Sequence, residues 1–199
     1  MMGLPSKLST VLPTADAIGD SELVERALNG DRWSHDMLYR RHAHYLLAIA
    51  TRLLSNRVEG EEVVQDTFVV GFEQLSTLRE PAAVRGWLAQ IAVSLVRRRL
   101  RRGRLLRLLE LDQEHDAALE KLASPLLSPD DRAELALVNR VLRKMSADLR
   151  IAWMLRRVEG LALPDVAHAC ACSLATLKRR VTAADAEIVR HTSFTQEAQ

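Results

Sequence analysis

Apolar residues recur along this chain at steps of three and four, the spacing of one face of an α-helix, in one segment after another. Leu23, Val24, Ala27 and Leu28 make a short stripe behind Asp20 and Ser21, which can cap a helix start, and Asn29-Gly30-Asp31 closes it with a strong turn signal. Leu38, His42, Tyr45, Leu46, Ile49 and Leu53 line a longer helix predicted over 32–54, ended by a break at Ser55-Asn56-Arg57. A third helix, predicted over 59–75, places Val64, Phe68, Phe72 and Leu75 on its core side and begins with acids, which suit the positive end of the helix dipole. After a loop at 76–81, a fourth helix over 81–102 turns Val84, Leu88, Ile91, Ala92 and Leu95 inward, with Trp87 beside them and Gly103 placed to stop it. Ser128-Pro129-Asp130-Asp131 has the order of a helix start, namely a capping hydroxyl, proline at the first position and acids in the first turn. Leu135, Val138, Val141, Leu142 and Met145 continue that helix; Ser146 interrupts it, and Ile151, Ala152, Leu155 and Val158 begin another.

The stretch from Glu159 to Val181 is the most specific. Pro164 suits the first turn of a short helix, because its missing N–H is an orphan donor there. Val166, Ala167 and Cys170 give that helix one apolar side, Ala171 and Cys172 fall at a turn, and Ser173 can cap a second helix. Leu174, Leu177, Val181, Ala184 and Ile188 form the second helix's back, while Ala175, Lys178, Arg179 and Thr182 follow the same steps on another face, flanked by Arg180. An apolar back and a small, basic front suit a DNA major groove, although an amphipathic surface helix facing water would read the same way.

Composition changes this picture little. The chain has 199 residues, 48% hydrophobic and 27% charged, which is ordinary for a soluble globular protein of one or two domains. Good helix formers dominate, and no alternating β-branched run argues for a sheet. The fold class expected is therefore all-α: a loose tail at 1–19, a helical domain at 20–104, a linker at 105–128 broken by Pro125, a second helical domain at 129–191 and a polar tail at 192–199.

Charge changes it more. The net charge is only +2, but Arg97, Arg98, Arg99, Arg101, Arg102, Arg104 and Arg107 crowd one short stretch, and Glu59, Glu61, Glu62, Asp66 and Glu73 gather in another. So many neighbouring guanidiniums repel one another unless something anionic meets them, so two different partners are expected, one acidic and one basic. Cys170 and Cys172 are too close in sequence for an easy disulfide and lack a second ligand cluster for zinc, so they read as small hydrophobes. No Gly-rich phosphate loop, Ser/His/Asp arrangement or paired metal-ligand motif is present, so no enzyme, cofactor or metal is expected. No signal peptide or long apolar run is seen either, so a cytoplasmic protein without membrane insertion is expected.

Several segments resemble bacterial RNA polymerase sigma factors of the sigma-70 class, in the small two-domain extracytoplasmic-function (ECF) group. Ala27-Leu28-Asn29-Gly30-Asp31, followed by Leu38-Tyr39-Arg40-Arg41-His42, is similar to that family's opening helices. Glu59 to Phe68, EGEEVVQDTF, resembles its acidic DAEDLVQEAF segment, and Gly86-Trp87-Leu88-Ala89-Gln90-Ile91-Ala92 with the arginines after it resembles its WLYRIARN…RRR segment. Glu159-Gly160-Leu161, Asp165-Val166-Ala167 and Thr176 to Val181 match EGLSYEEIA…GTVKSRL, and all of these stand in the family's order between about Ser21 and Arg190.

The resemblance implies a region 2-like bundle that binds the clamp coiled coil of core RNA polymerase and reads the −10 promoter element. It also implies a region 4-like helix-turn-helix domain that reads the −35 element and touches the polymerase flap. Transferred by position, Glu59, Glu61, Glu62, Gln65, Asp66 and Phe68 would bind polymerase. Arg79, Arg85, Trp87, Arg97, Arg98, Arg99, Arg101 and Arg102 would serve the −10 region and its backbone, with the 76–85 loop in the place of base capture. Ser173, Ala175, Thr176, Lys178, Arg179, Arg180 and Thr182 would serve −35. An anti-sigma factor often holds such proteins inactive, and no small-molecule substrate is implied. The alternative is a helix-turn-helix regulator that binds DNA, commonly as a dimer, without acting as a sigma factor.

The chain departs from the family pattern at several positions. Ala171 stands at the usual turn Gly, Val93-Ser94 at Arg-Asn, Arg97 at Asp, and Ala183 and Asp185 where basic residues usually follow. Two missing basic sites would remove about two counterion-release contacts at −35.

Overall fold

The computed structural model describes residues 18–108 and 129–196. Eight α-helices occur among the described residues, and no strand: α1 (Asp20–Leu28), α2 (Arg32–Leu54), α3 (Arg57–Glu73), α4 (Val84–Leu108), α5 (Pro129–Lys144), α6 (Ala147–Trp153), α7 (Leu163–Ala169) and α8 (Leu174–Gln196). The all-α expectation holds. Most of the linker, the N-terminal tail before Ile18 and the capping Ser128 lie outside the described residues.

Local chemistry sets most boundaries. Asp31 caps α2 by accepting from the Trp33 backbone N–H at 3.0 Å, just after Gly30, whose φ of 84° only glycine adopts freely. Asn56 caps α3 by accepting from the Glu59 N–H at 3.2 Å, and Ser146 caps α6 through the Leu149 N–H at 3.4 Å. Two expectations are corrected. The residue that caps α1 is Gly19, with no side-chain cap; Asp20 sits inside the first turn and accepts from Arg41 at 2.7 Å instead. Gly103 does not stop α4, which runs on to Leu108, since one glycine weakens a helix interior by only about 1 kcal/mol. The helix α8 likewise continues past His191 to Gln196.

Most of the predicted stripe residues are buried or half-buried, but Leu28, Leu135, Val158 and Leu174, also expected to face inward, are exposed. Leu38, Leu46, Ile49 and Leu53 of α2, Val64 and Phe68 of α3, and Leu88, Ala92 and Leu95 of α4 form the N-terminal core. At Gly60 a Cβ would lie 2.6 Å from Thr51 Oγ1 and 3.0 Å from its backbone N, so only glycine lets α3 lie this close to α2. In the C-terminal half α8 packs against α5, α6 and α7. Val141, Leu142, Met145 and Ala184 form an apolar cluster of their own in the C-terminal half, but that half also shares the N-terminal core. Ile151, Leu155, Val166, Cys170 and Leu177 belong to the same apolar cluster as the N-terminal residues, and α4 rests against both α6 and α7.

Candidate nucleic-acid interface

Helices α7 and α8 form the helix-turn-helix. The backbone turns through Ala171, whose φ of 50° is left-handed, a conformation that costs a non-glycine residue about 1–2 kcal/mol. The turn is nevertheless closed: the Cys172 N–H donates to the Ala167 carbonyl at 3.0 Å and the Ala171 N–H to that of His168 at 2.9 Å. Ser173 Oγ accepts from the Thr176 N–H at 3.2 Å, capping α8 as its sequence implied. Leu177, Val181 and Ala184 are buried behind α8, while Ser173, Ala175, Lys178, Arg179 and Thr182 are exposed in front, with Thr176 half-buried among them. Arg179 lies along its own helix, 3.4 Å from Thr176 Oγ1. Arg180 turns the other way, 25% exposed and 3.7 Å from Asp148.

Asp185 has an internal task that its sequence did not reveal. It accepts from the Trp153 indole N–H at 2.9 Å and from Arg157 at 2.7 Å, clamping α8 to α6 and the π turn at Met154–Val158. The Arg157 hydrogen bond outweighs partial burial and, with the Trp153 bond, holds its carboxyl below the usual aspartate range. Cys170 and Cys172 are both free; burial pushes the Cys170 thiol up to about 11, so it packs as an inert hydrophobe.

The arginines of α4 are divided between solvent and protein. Arg98, Arg102 and Arg104 are exposed. Arg99 reaches back to α3, donating to Glu62 at 2.7 Å and Asp66 at 3.0 Å. Arg97 and Arg101 reach forward to α6, meeting Asp148 at 2.8 and 3.0 Å, and Arg97 also donates to the Cys170 carbonyl. Beside them a cavity of about 220 Å³ is lined by Arg101, Arg104, Arg143, Ser146, Asp148 and Arg150. The loop before α4 is two short 3₁₀ turns, Leu75–Thr77 and Pro81–Ala83, with Arg79 exposed between them. Arg85 stacks over the Tyr45 ring, 4.2 Å from its centroid, and Trp87 is half-buried.

On the acidic helix α3, Glu61, Glu62 and Gln65 are exposed, and Glu59 and Asp66 are half-buried. Arg57 pairs with Glu61 at 2.9 Å, so this face is partly neutralised by the protein's own cations. Phe68, grouped with these residues from sequence, is only 3% exposed and packs against Tyr39 and Phe72; it can support the face but not touch a partner. Sequence reasoning passed over Asp148, an acid in the first turn of α6. Only its three-dimensional neighbours mark it out.

Comparison with known proteins identifies the family. Residues 38–105, which run from α2 through most of α4, match the family model for Sigma-70 region 2. The chain is 30% identical over 174 residues to the RNA polymerase sigma-H factor of Pseudomonas aeruginosa, spanning 81% of this chain and 88% of that protein. The chain belongs to the sigma-70 family. This sigma factor is also 27% identical over 177 residues to the ECF RNA polymerase sigma-E factor of Escherichia coli, covering 84% of the chain and 91% of the relative, and it is a factor of the ECF type. Its fold is similar to that of CnrH, solved in complex with the cytosolic domain of CnrY (TM-score 0.57, 24% identity, 90% of this chain and 98% of that one). It is similar also to the sigma factor RpoE of Bartonella quintana, solved with the anti-sigma factor NepR (TM-score 0.56, 23% identity, 79% and 96%). Among the described residues no helix of this sigma factor is long and apolar enough to cross a membrane.

Proposed function

We propose that this ECF sigma factor binds core RNA polymerase and directs it to promoters by reading −10 and −35 elements. The observation that carries the reading is the front of α8, where Ser173, Ala175, Lys178, Arg179 and Thr182 face solvent on a helix whose back is anchored by Leu177, Val181 and Ala184. Small residues and cations on an exposed, well-supported helix can enter a major groove and meet its phosphates. Exposed Arg98, Arg102 and Arg104, with Arg79, Arg85 and Trp87, serve the −10 side; Glu59, Glu61, Glu62, Gln65 and Asp66 serve the polymerase. The protein acts in the cytoplasm beside the polymerase, as a recognition subunit rather than a catalyst, and is restrained by an anti-sigma protein. Its family membership favours this over a regulator that works without replacing a sigma factor.

Transcription with purified core polymerase on a promoter library tests the reading. Specific start sites that depend on the protein, and that fade when Glu61 and Glu62 are both changed to Lys, are the expected result. No retention on core polymerase in a pull-down would overturn it.

A further inference from the structure

Seven residues advance an α-helix by about 700°, only about 20° short of two full turns, so Ala175 and Thr182 stand on one line along α8. Both are exposed. Lys178 and Arg179, exposed too, lie about 40–60° to either side of that line. The face turned to solvent is therefore a low ridge bearing methyl groups, with one long cation on each flank. Leu177, Val181 and Ala184, buried behind it, fix the direction in which the ridge points.

The ridge is poorly supplied with groups that read bases by hydrogen bonds. Adenine is read best by Asn or Gln and cytosine by Asp or Glu, and none of these occurs from Ser173 to Ala183. The Ser173 hydroxyl is committed to the cap, accepting from the Thr176 N–H at 3.2 Å and lying 2.9 Å from the Thr176 hydroxyl. Arg180 points away toward Asp148, and Arg179 lies back along its own helix, 3.4 Å from Thr176 Oγ1. What stands at the centre is apolar contact, and the base-edge group in the major groove that answers it is the 5-methyl of thymine. Small side chains also let the helix backbone approach the base edges, which brings a cation on each flank to the phosphates that wall the groove. Recognition-helix residues about seven apart reach the first and last of about three successive bases.

We propose that this protein selects its −35 element through thymine methyl groups. Ala175 and Thr182 each meet the methyl of one T·A pair, at the two ends of about three successive pairs, while Lys178 and Arg179 hold phosphates on either side. Sequence choice then resides in two methyl contacts, and affinity in two cations. The inference rests on the reading of α8 as the −35 helix; it adds which base that helix selects and which side chains select it.

Deoxyuridine tests it, because uracil differs from thymine only in lacking the 5-methyl group. The full chain, with and without core polymerase, first selects a binding sequence from a randomised duplex pool. Each thymine of the selected −35 sequence is then replaced singly by deoxyuridine, and binding is measured again. Loss of one buried methyl weakens binding about fourfold, so two thymines should each show about that loss and the others none. Thr182→Ser keeps the hydroxyl and removes the methyl. With it, thymine and uracil should bind alike at one of the two positions and still differ about fourfold at the second. Ala175→Gly should have the same effect at the second position. Arg179→Ala should lower the log–log salt slope by about 0.9 and leave both thymine-to-uracil ratios unchanged. The uracil series on the wild-type chain decides the matter if a variant loses its far-UV helix signal. A pool with no enriched sequence, a selected element without thymine, equal binding of thymine and uracil throughout, or a ratio that a folded Thr182→Ser leaves unchanged overturns the proposal. Retention on core polymerase is measured separately in the pull-down, so failure of the sigma reading and failure of the methyl reading give different results.

Discussion

The two cationic surfaces of this protein differ in what their charges already hold. On α8, Lys178 and Arg179 project into solvent from a turn capped by Ser173. On α4, a far denser run of arginine is half consumed: Arg97 and Arg101 are tied to Asp148, and Arg99 to Glu62 and Asp66. A count of basic residues therefore overstates the free charge of α4 and understates the readiness of α8. The difference follows from geometry, because successive α4 arginines point around the helix at 100° steps and several necessarily face α3 or α6.

The largest effect that would break the comparison is loss of the support behind α8. Leu177 is fully buried, and Leu177→Ala should cost about 2–5 kcal/mol of unfolding free energy in a denaturant titration. If α8 stood independently of the core, the cost would be near zero. Next come the surface cations. Changing both Lys178 and Arg179 to Ala should lower the log–log salt slope of duplex binding by about 0.9 per lost phosphate contact, and Arg98 with Arg102 should do the same. Arg99→Ala should leave that slope unchanged, because its guanidinium is held by α3. An equal loss of slope from all of them would erase the distinction between spent and free arginines.

A smaller effect sharpens the α8 side. Ala171 adopts φ of 50°, so Ala171→Gly should raise stability by about 1 kcal/mol, the relief of the left-handed strain less the added chain entropy of glycine. A thermal melt measures it, and a lower melting temperature would mean that the turn is held by something other than backbone conformation. The smallest effect is in pH. Asp185 is held below the ordinary aspartate range by Arg157 and Trp153, so its contribution to stability is complete above the unfolded value near 3.9. That contribution is lost as the pH falls further and the folded carboxyl takes up its proton. Melts between about pH 6 and pH 3 should fall less steeply for Asp185→Asn than for the wild type.

Much of this molecule was legible in one dimension. Helical periodicity marked Leu38, Leu46, Ile49 and Leu53 as core, and the order Pro164, Ala171, Ser173, Leu177 marked the helix-turn-helix, because helix spacing, proline at a first turn and a capping hydroxyl are local properties. The turn at Ala171 and Cys172 was legible too, but that Ala171 is left-handed there only the structure shows. Phe68 was harder to place, since an aromatic residue in an acidic segment reads equally as support or contact until its burial is known.

What the chain's own order of residues determined, then, was its helices, their buried faces and the places where charge is dense. Only the tertiary structure decided which charges remain free and how the halves meet. Asp148 lies 51 positions after Arg97 and 32 before Arg180, and Asp185 lies 32 after Trp153. Pairings across such distances depend on how α4, α6 and α8 pack, which no local pattern of residues encodes.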